Sequence, residues 1–192
     1  MTVLSTAFYQ DEDVLHLSRN LLGKYLLTKI GGKLTGGMII ETEAYRGPED
    51  KASHAFANRR TKRNEAMYQA GGICYVYQCY GLHYLFNVVT NLSEIPHAIL
   101  IRAIKPEIGI DVMLLRRNKS KVDKTLAGGP GTLSQALGIN KSHNGLPLDG
   151  PPIWIEDRGV IAKAKEVIAG PRIGVAYAGE HAHLPWRFRL QK

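Results

Sequence analysis

Residues 38–46 read MIIETEAYR, and residues 75–87 read YVYQCYGLHYLFN. If both segments are strands, alternate side chains share a face. The faces of the first strand are then Glu41, Glu43 and Tyr45 on one side, and Met38, Ile40, Thr42 and Ala44 on the other. The second face can pack on a core. The acidic face either lines a site or forms the solvated side of an edge strand, and the pattern alone leaves both interpretations open.

Length and composition predict one domain over residues 1–192. The chain is 44% hydrophobic and 22% charged, which suits a full-sized core and argues against disorder. No apolar run approaches the length that spans a bilayer, and the first residues lack the pattern of a signal peptide. Cys74 and Cys79 fall on opposite faces of a strand and are expected to be free thiols. We therefore expect a cytoplasmic protein that does not bind membranes.

Positive charge is concentrated in three segments of the chain. The net charge is +8 at pH 7 and the pI is near 9.5, which favours an anionic partner, although a basic protein can be merely soluble. The segments are 59–63, 116–124 and 187–192. In the first, Arg59, Thr61, Lys62 and Arg63 combine cations with a hydroxyl, and such donors suit contacts to phosphate. A charged loop out of context is more often only solvated.

Turn residues and apolar periodicity predict an α+β fold. We expect a single domain with a curved, mostly antiparallel sheet (a roll or partial barrel), flanking helices and a protruding β-hairpin. The predicted strands are 25–30, 34–45, 73–79, 84–90, 99–104, 153–155 and 172–177, with 160–168 either extended or helical. Helices are predicted after Asp11 or Asp13, over 64–69, from Pro106 to about Arg117, and over 132–137.

Three further features of the sequence bear on possible sites. Tyr80 lies at the predicted hairpin tip, where an aromatic is harder to explain by packing and, in a basic protein, could stack on a base or wedge between base pairs. His181 and His183 form a pair, but no second spaced pair completes a zinc site. The glycines of 128–131 precede a helix without the lysine of a P-loop. We therefore expect no metal and no cofactor.

Three segments together resemble the 3-methyladenine (alkyladenine, methylpurine) DNA glycosylase family. They are ETEAYRGPEDKASHAF at 41–56, RTKRNEAMY at 60–68 and YVYQCYGLHYLFNVVT at 75–90. Further matches, such as RIGV at 172–175 with YAGE at 177–180, extend the resemblance over nearly the whole chain from about residue 7. Two departures are Ala57-Asn58, where relatives often carry glycines, and Gln78-Cys79, where apolar residues are common.

The resemblance implies a monofunctional DNA glycosylase of base-excision repair. Such an enzyme flips an alkylated or deaminated purine out of duplex DNA and hydrolyses its N-glycosidic bond. Glu43 would be the general base that activates the water attacking C1′. Arg102 and the backbone carbonyl near Ile173, a residue of the base pocket, would help to hold that water. The expected partner is damaged double-stranded DNA, bound by a monomer that is nucleoid-associated when it acts.

The resemblance also assigns the base pocket. Tyr45, His54 and Tyr77 would sandwich the damaged base. Asn87 would lie on the pocket floor, where it crowds the 2-amino group of normal guanine. Tyr80 would enter the minor groove and fill the gap that the flipped nucleotide leaves. Hypoxanthine, ethenoadenine, 3-methyladenine and 7-methylguanine all remain open as preferred lesions.

The residues are also compatible with three different functions. A glycosylase-lyase would need a lysine nucleophile, and the acidic segment offers only Lys51. A non-catalytic DNA-binding module would use the basic loops and tyrosines but leaves Glu43 unexplained. A sugar glycosidase would use Glu41 and Glu43 together, about 6.5–7 Å apart on one strand face.

Overall fold

One antiparallel sheet organises the chain, and its strands account for most of the predicted ones. The computed structural model describes residues 1–191. Its strands are β1 Thr2–Val3, β2 Tyr25–Ile30, β3 Lys33–Arg46, β4 Cys74–Cys79, β5 His83–Thr90, β6 His97–Ile108, β7 Asp149–Gly150, β8 Ile153–Asp157, β9 Val167–Gly170 and β10 Arg187–Leu190. Its α-helices are α1 Thr6–Tyr9, α2 Val14–Asn20, α3 Ile110–Arg116 and α4 Pro130–Leu137. Short 3₁₀ helices cover Phe56–Asn58, Glu65–Tyr68, Lys141–His143, Ala164–Glu166 and Ala176–His183.

The long strand β3 is the centre of the sheet. The strand order is β1-β8-β2-β3-β6-β5-β4, and all pairs are antiparallel. β6 pairs with β3 along most of its length, on one edge. On the other edge, β2 pairs with Lys33–Met38 and β10 pairs with Glu41–Glu43. The sheet does not close into a barrel, and the predicted α+β class with a mostly antiparallel sheet is confirmed.

Helices cover the core face of this sheet. Asp13 caps α2, because its side chain accepts hydrogen bonds from the backbone amides of Leu15 and His16. Leu17 on α2 is buried in the main core together with Ala44 on β3 and residues of β5 and β6. The Ser18 hydroxyl donates to Oγ1 of Thr42 at 2.9 Å, so the few polar atoms under α2 are paired.

An irregularity at Ile40 changes the faces of β3. In the pairing with β6, Ile39 and Glu41 have partners but Ile40 has none. Such a bulge moves the alternation by one residue. Ile39 therefore packs in the main core with Ala44, and Met38 packs in a separate cluster on the opposite face. The prediction that Met38 shares a face with Ala44 is wrong for this reason.

A second irregularity lies directly opposite, in β6. Glu41 pairs with Ala103 and Thr42 pairs with Ile101, so Arg102 lies between paired positions. Bulges frequently redirect a side chain next to a functional site. Here the extra residue lies beside the two glutamates of β3.

Two predicted elements are wrong. Pro106 does not begin a helix, because β6 continues through it to Ile108 and pairs it with Gly37 at a register shift, where the missing N–H of proline is tolerated. Helix α3 begins later, after Gly109. Residues 172–177 are not a strand: Arg172 is buried in an ion pair, and a 3₁₀ helix begins at Ala176. The final strand is instead β10.

The remaining predicted elements are confirmed with small changes of boundary. The two hairpins β2–β3 and β4–β5 have the predicted turns at Gly31-Gly32 and Tyr80-Gly81-Leu82. Of segment 160–168, residues 160–163 are irregular, Ala164–Glu166 form a 3₁₀ turn and the last two residues begin β9. Both cysteines are free thiols, Cys74 buried and Cys79 partly exposed. Within residues 1–191, no helix is both long and apolar enough to cross a bilayer.

Candidate active site

Glu43 lies near the carboxyl end of β3 and is completely buried, with 0% of its surface exposed. Its Oε1 atom accepts a hydrogen bond from the backbone amide of Ile173 at 2.8 Å and lies 3.3 Å from Nη1 of Arg102. Its Oε2 atom accepts a hydrogen bond from the Tyr45 hydroxyl at 2.8 Å. Charge-assisted hydrogen bonds of this kind offset the loss of hydration. They also fix the orientation of the carboxylate.

Arg102 joins the two glutamates of the predicted acidic face. Its Nε atom donates to Oε1 of Glu41 at 3.1 Å. Arg187 on β10 donates to the same oxygen at 3.3 Å. Glu41 is therefore the ion-pair partner of two arginines, whereas Glu43 is paired with Arg102 alone and accepts its two hydrogen bonds from a backbone amide and a phenol.

A cavity of about 620 Å³ opens beside this carboxylate. Its walls include Tyr45, Arg102 and Ile173, the three residues whose donors surround Glu43. Glu43 thus lies one layer behind the wall. The volume falls within the range of small-molecule sites, roughly 300–1,000 Å³.

Three aromatic rings form another part of the same wall. The rings of His54 and Tyr77 have centroids 4.6 Å apart in an edge-to-face arrangement. The rings of Tyr75 and Tyr77 are 5.3 Å apart. Nδ1 of His54 lies 2.8 Å from the Tyr75 hydroxyl, which fixes the imidazole plane. Aromatic faces in such an arrangement suit a flat, electron-poor ligand.

Burial keeps these side chains uncharged near neutral pH. It lowers the pKa of His54 to about 4, with smaller contributions from Arg63 and Arg59. Burial also raises the pKa of Tyr75 and of Tyr77. The pKa of Tyr45 is raised well above its usual value, first by burial and then by the Glu43 carboxylate. The Tyr45 hydroxyl therefore remains a hydrogen-bond donor to Glu43.

Asn87 on β5 also lines the cavity and is only 3% exposed. Its Nδ2 atom donates to the backbone carbonyl of Tyr75 at 3.0 Å, so the carboxamide is held against the neighbouring strand β4. A carboxamide fixed at this depth can discriminate between ligands, because it crowds some ligand groups and binds others.

The β4–β5 hairpin carries Tyr80 at the rim of the cavity. Tyr80 is 88% exposed, and its φ of 51° is in the left-handed region. The side chain of Gln78 donates to the carbonyl of Gly81 at 2.8 Å and closes the turn. The hairpin therefore presents an aromatic ring to solvent at its tip, where the sequence placed Tyr80, and the turn is held by a side-chain hydrogen bond.

The predicted phosphate contacts lie on the surface beside this rim, and all four are exposed. Arg63 lines the cavity, lies over the Tyr77 ring at 5.1 Å, and donates to the carbonyl of Gln78. Thr61 donates its hydroxyl to Asn64. Arg59 and Lys62 do not line the cavity. The structure therefore places Arg63 in the pocket wall as well as in the basic loop.

Three contributors to the site were missed by the sequence reasoning. The side chains of Asp50 and Arg172 form a fully buried ion pair behind Tyr45. Tyr177 lines the cavity opening with 69% of its surface exposed, and its hydroxyl donates to the carbonyl of Ala52 at 3.0 Å. The signal in the sequence was that all three stand in segments that match the family: Asp50 in 41–56, Arg172 in RIGV and Tyr177 in YAGE.

No group of three or more His, Cys, Asp or Glu side chains in the described part of the chain is arranged to bind a metal ion. His181, one of the two histidines of the His181/His183 pair noted in the sequence, accepts a hydrogen bond from the backbone amide of Lys51 and lies 3.7 Å from Asp50.

Comparison with known proteins places this chain in a family. The sequence profile of the methylpurine-DNA glycosylase family matches residues 7–192. The chain belongs to this family of DNA-repair hydrolases, which cleave N-glycosidic bonds. The resemblance drawn from the sequence segments is confirmed.

Relatives named "Putative 3-methyladenine DNA glycosylase" match nearly the whole chain. The protein of Chlamydia felis is 50% identical over 189 residues, which cover 98% of this chain and 96% of that protein. The protein of Chlamydia abortus is 49% identical over 189 residues, covering 98% of each. The protein of Bacillus cytotoxicus is 42% identical over 192 residues, covering 96% of this chain and 94% of that protein.

Proposed function

We propose that this protein is a monofunctional DNA glycosylase that acts as a monomer on damaged duplex DNA. It flips an alkylated or deaminated purine into the 620 Å³ cavity and hydrolyses the N-glycosidic bond with a water activated by Glu43. The product is an abasic site, and the reaction takes place on nucleoid DNA.

One observation carries this proposal: the buried carboxylate of Glu43 lies directly behind a cavity walled by aromatic rings. A base in a duplex is out of reach of any such site, so it must be extruded at a cost of a few kcal/mol. The aromatic wall offsets part of that cost by stacking, about 1–3 kcal/mol per base.

The hydrolytic step follows from the surroundings of Glu43. The carboxylate removes a proton from water while the water oxygen bonds to C1′ of the deoxyribose. The electron pair of the N-glycosidic bond leaves with the purine. Oε2 of Glu43 has one donor, Tyr45, and so keeps a lone pair for this proton. Arg102, 3.3 Å from Glu43, is suited to orient the water. Attack by one activated water predicts inversion at C1′.

The cavity wall suits alkylated purines. Many of these bases are cationic, and a ring face attracts a cation by about 0.5–2 kcal/mol. A cationic base departs as a neutral molecule, so it needs little acid catalysis. A neutral lesion such as hypoxanthine needs more help with departure. Asn87 at the cavity wall would crowd the 2-amino group of normal guanine.

The principal test is base release from duplex oligonucleotides that each hold one hypoxanthine, ethenoadenine or 7-methylguanine, with EDTA present. We expect the wild type to release at least one lesion and the Glu43→Gln variant to be at least about 100-fold slower, as expected for loss of a general base. Undamaged duplex should remain intact.

Glu107→Gln provides a matched control. Glu107 also accepts a hydrogen bond from a tyrosine, Tyr25, at 2.8 Å, but on β6 away from the cavity. Its activity should equal that of the wild type. Absence of base release from every lesion, with DNA binding retained, would leave a non-catalytic binding module as the better interpretation.

A glycosylase-lyase and a sugar glycosidase are less well supported by the geometry. The residues that line the cavity, among those described, include no lysine to form a Schiff base. Glu41 is occupied by Arg102 and Arg187, which leaves it poorly placed to act as the second carboxylate of a sugar glycosidase.

A further inference from the structure

Arg172 connects the segments that surround Glu43. Its side chain is 0% exposed, and its two terminal nitrogens contact both carboxylate oxygens of Asp50, one of them at 2.8 Å. Nη1 also donates to the carbonyl of Ala44 at 2.9 Å, the residue between Glu43 and Tyr45. Nη2 donates to the carbonyl of His181 at 3.2 Å. One guanidinium thereby joins β3, the loop after it, and the segment 172–181.

The same guanidinium lies between two aromatic rings. Its Cζ atom is 4.8 Å from the centroid of Tyr45 and 5.0 Å from that of Trp186. Arginine is suited to this environment because its planar group can stack and donate in its plane at once. Tyr45, in turn, donates its hydroxyl to Glu43.

Two of the three groups around the Glu43 carboxylate are therefore next to Arg172. The Tyr45 ring is in contact with the guanidinium, and Ile173, whose amide binds Oε1, is the next residue in the chain. Arg172 itself does not line the cavity. It cannot touch a bound base, so any effect on the reaction must pass through these neighbours.

We propose that Arg172, held by Asp50, is a positioning residue that fixes the Tyr45 hydroxyl and the Ile173 amide against the general base Glu43. The proposal rests on the glycosylase function proposed above. It predicts that the arginine fork is required for the chemical step and not for binding of DNA.

The test compares Arg172→Lys with the wild type, each with and without Glu43→Gln. The substrate is whichever of the three lesion duplexes the wild type cleaves fastest. Arg172→Lys keeps the charge opposite Asp50 but removes the planar fork. We expect the single-turnover rate to fall about 10- to 100-fold, as for a small misplacement of a catalytic group. The dissociation constant for the lesion duplex should stay within about threefold.

The effect of Arg172→Lys in the Glu43→Gln background distinguishes a positioning role from general damage to the fold. In the Glu43→Gln background, adding Arg172→Lys should change the residual rate by less than about twofold, because the group that it positions is already gone. Arg116→Lys is the matched control: that arginine also makes several internal contacts, to Thr35, Ala136 and Ile30, but far from Glu43 along the sheet. It should retain the wild-type rate.

Two results with a folded variant would contradict the inference. A folded Arg172→Lys variant with the wild-type rate would overturn it, and so would an equal loss with and without Glu43. If Arg172→Lys does not fold, Asp50→Asn replaces it with the same expectation, since it leaves the arginine in place without its charged partner. A wild type that releases no lesion would instead overturn the proposed function, and the inference with it.

Discussion

Glu41 and Glu43 are the same residue type on the same strand, yet their surroundings differ. Glu41 contacts two arginines, whereas Glu43 is held by a phenol, a backbone amide and one arginine. The alternating pattern of β3 predicted that both side chains lie on one face, but it could not predict that their contacts differ. The difference comes from Ile173, 130 positions further along the chain. Contacts over that distance leave no local pattern in a sequence.

His54 makes the stability of the protein depend on pH. Its pKa is lowered from 6.5 to about 4 in the folded protein. Between these values the unfolded chain binds more protons than the native state, so the free energy of unfolding falls as the pH falls from 6.5 to 4. Above this range His54 is neutral in both states and has no such effect. The total loss is at most about 3 kcal/mol.

Urea unfolding of the wild type and His54→Gln at pH values from 7 to 4 would measure this effect. We expect the stability of the wild type relative to the variant to decrease steadily over that range as the pH falls. Parallel curves for the wild type and His54→Gln would contradict the lowered pKa.

The two opposed bulges of β3 and β6 show what an element-level pattern can and cannot predict. Strand positions followed from apolar residues and turns, and both hairpins were located correctly. The bulges at Ile40 and Arg102 were not, because an extra residue changes no composition and only moves the alternation. Likewise, Pro106 was predicted to start a helix because its role at a register shift is visible only once the partner strand is known.

The β4–β5 hairpin yields a prediction for DNA binding. Tyr80 makes few contacts with the rest of the protein, since 88% of it is exposed, so Tyr80→Ala should leave the stability nearly unchanged. We expect it to weaken binding to a lesion duplex by about tenfold or more, because one stacking contact of about 1–3 kcal/mol is lost. Fluorescence anisotropy with a labelled duplex would measure the affinity.

Tyr80→Phe distinguishes the ring from the hydroxyl. It keeps the aromatic face and should bind like the wild type. If Tyr80→Ala also binds like the wild type, the hairpin tip does not enter the duplex and stabilises no flipped state.

Charge has to be considered for the whole molecule. The net charge of +8 is compatible with DNA but does not say where DNA lies. In the structure, the basic residues of the loop at 59–63 differ in their contacts. Arg60 is paired with Glu65 and Glu94, Arg63 lies over Tyr77, and Lys62 is exposed beside the rim. Composition alone could not predict which of these basic residues are paired and which are exposed, because each contact depends on the folded chain.

Lys62→Gln should reduce the salt dependence of DNA binding. Each phosphate contact contributes about 0.9 to the slope of log K against log salt concentration. We therefore expect the slope to fall by about that amount between roughly 50 and 200 mM salt, for lesion and undamaged duplexes alike. Titrations at four salt concentrations would measure it.

Lys33→Gln is the control for net charge. Lys33 begins β3, ten residues before Glu43, about 30 Å away along the strand. The slope for this variant should match that of the wild type. Equal decreases for Lys33→Gln and Lys62→Gln would mean that overall charge, and not this loop, determines DNA binding.

The pairing of Asp50 with Arg172 spans 122 positions of the chain. A molecule still on the ribosome, or one cut by a protease before residue 172, has the acidic strand and the aromatic hairpin but not the segment that orients Glu43. We expect such incomplete molecules to touch DNA without creating abasic sites.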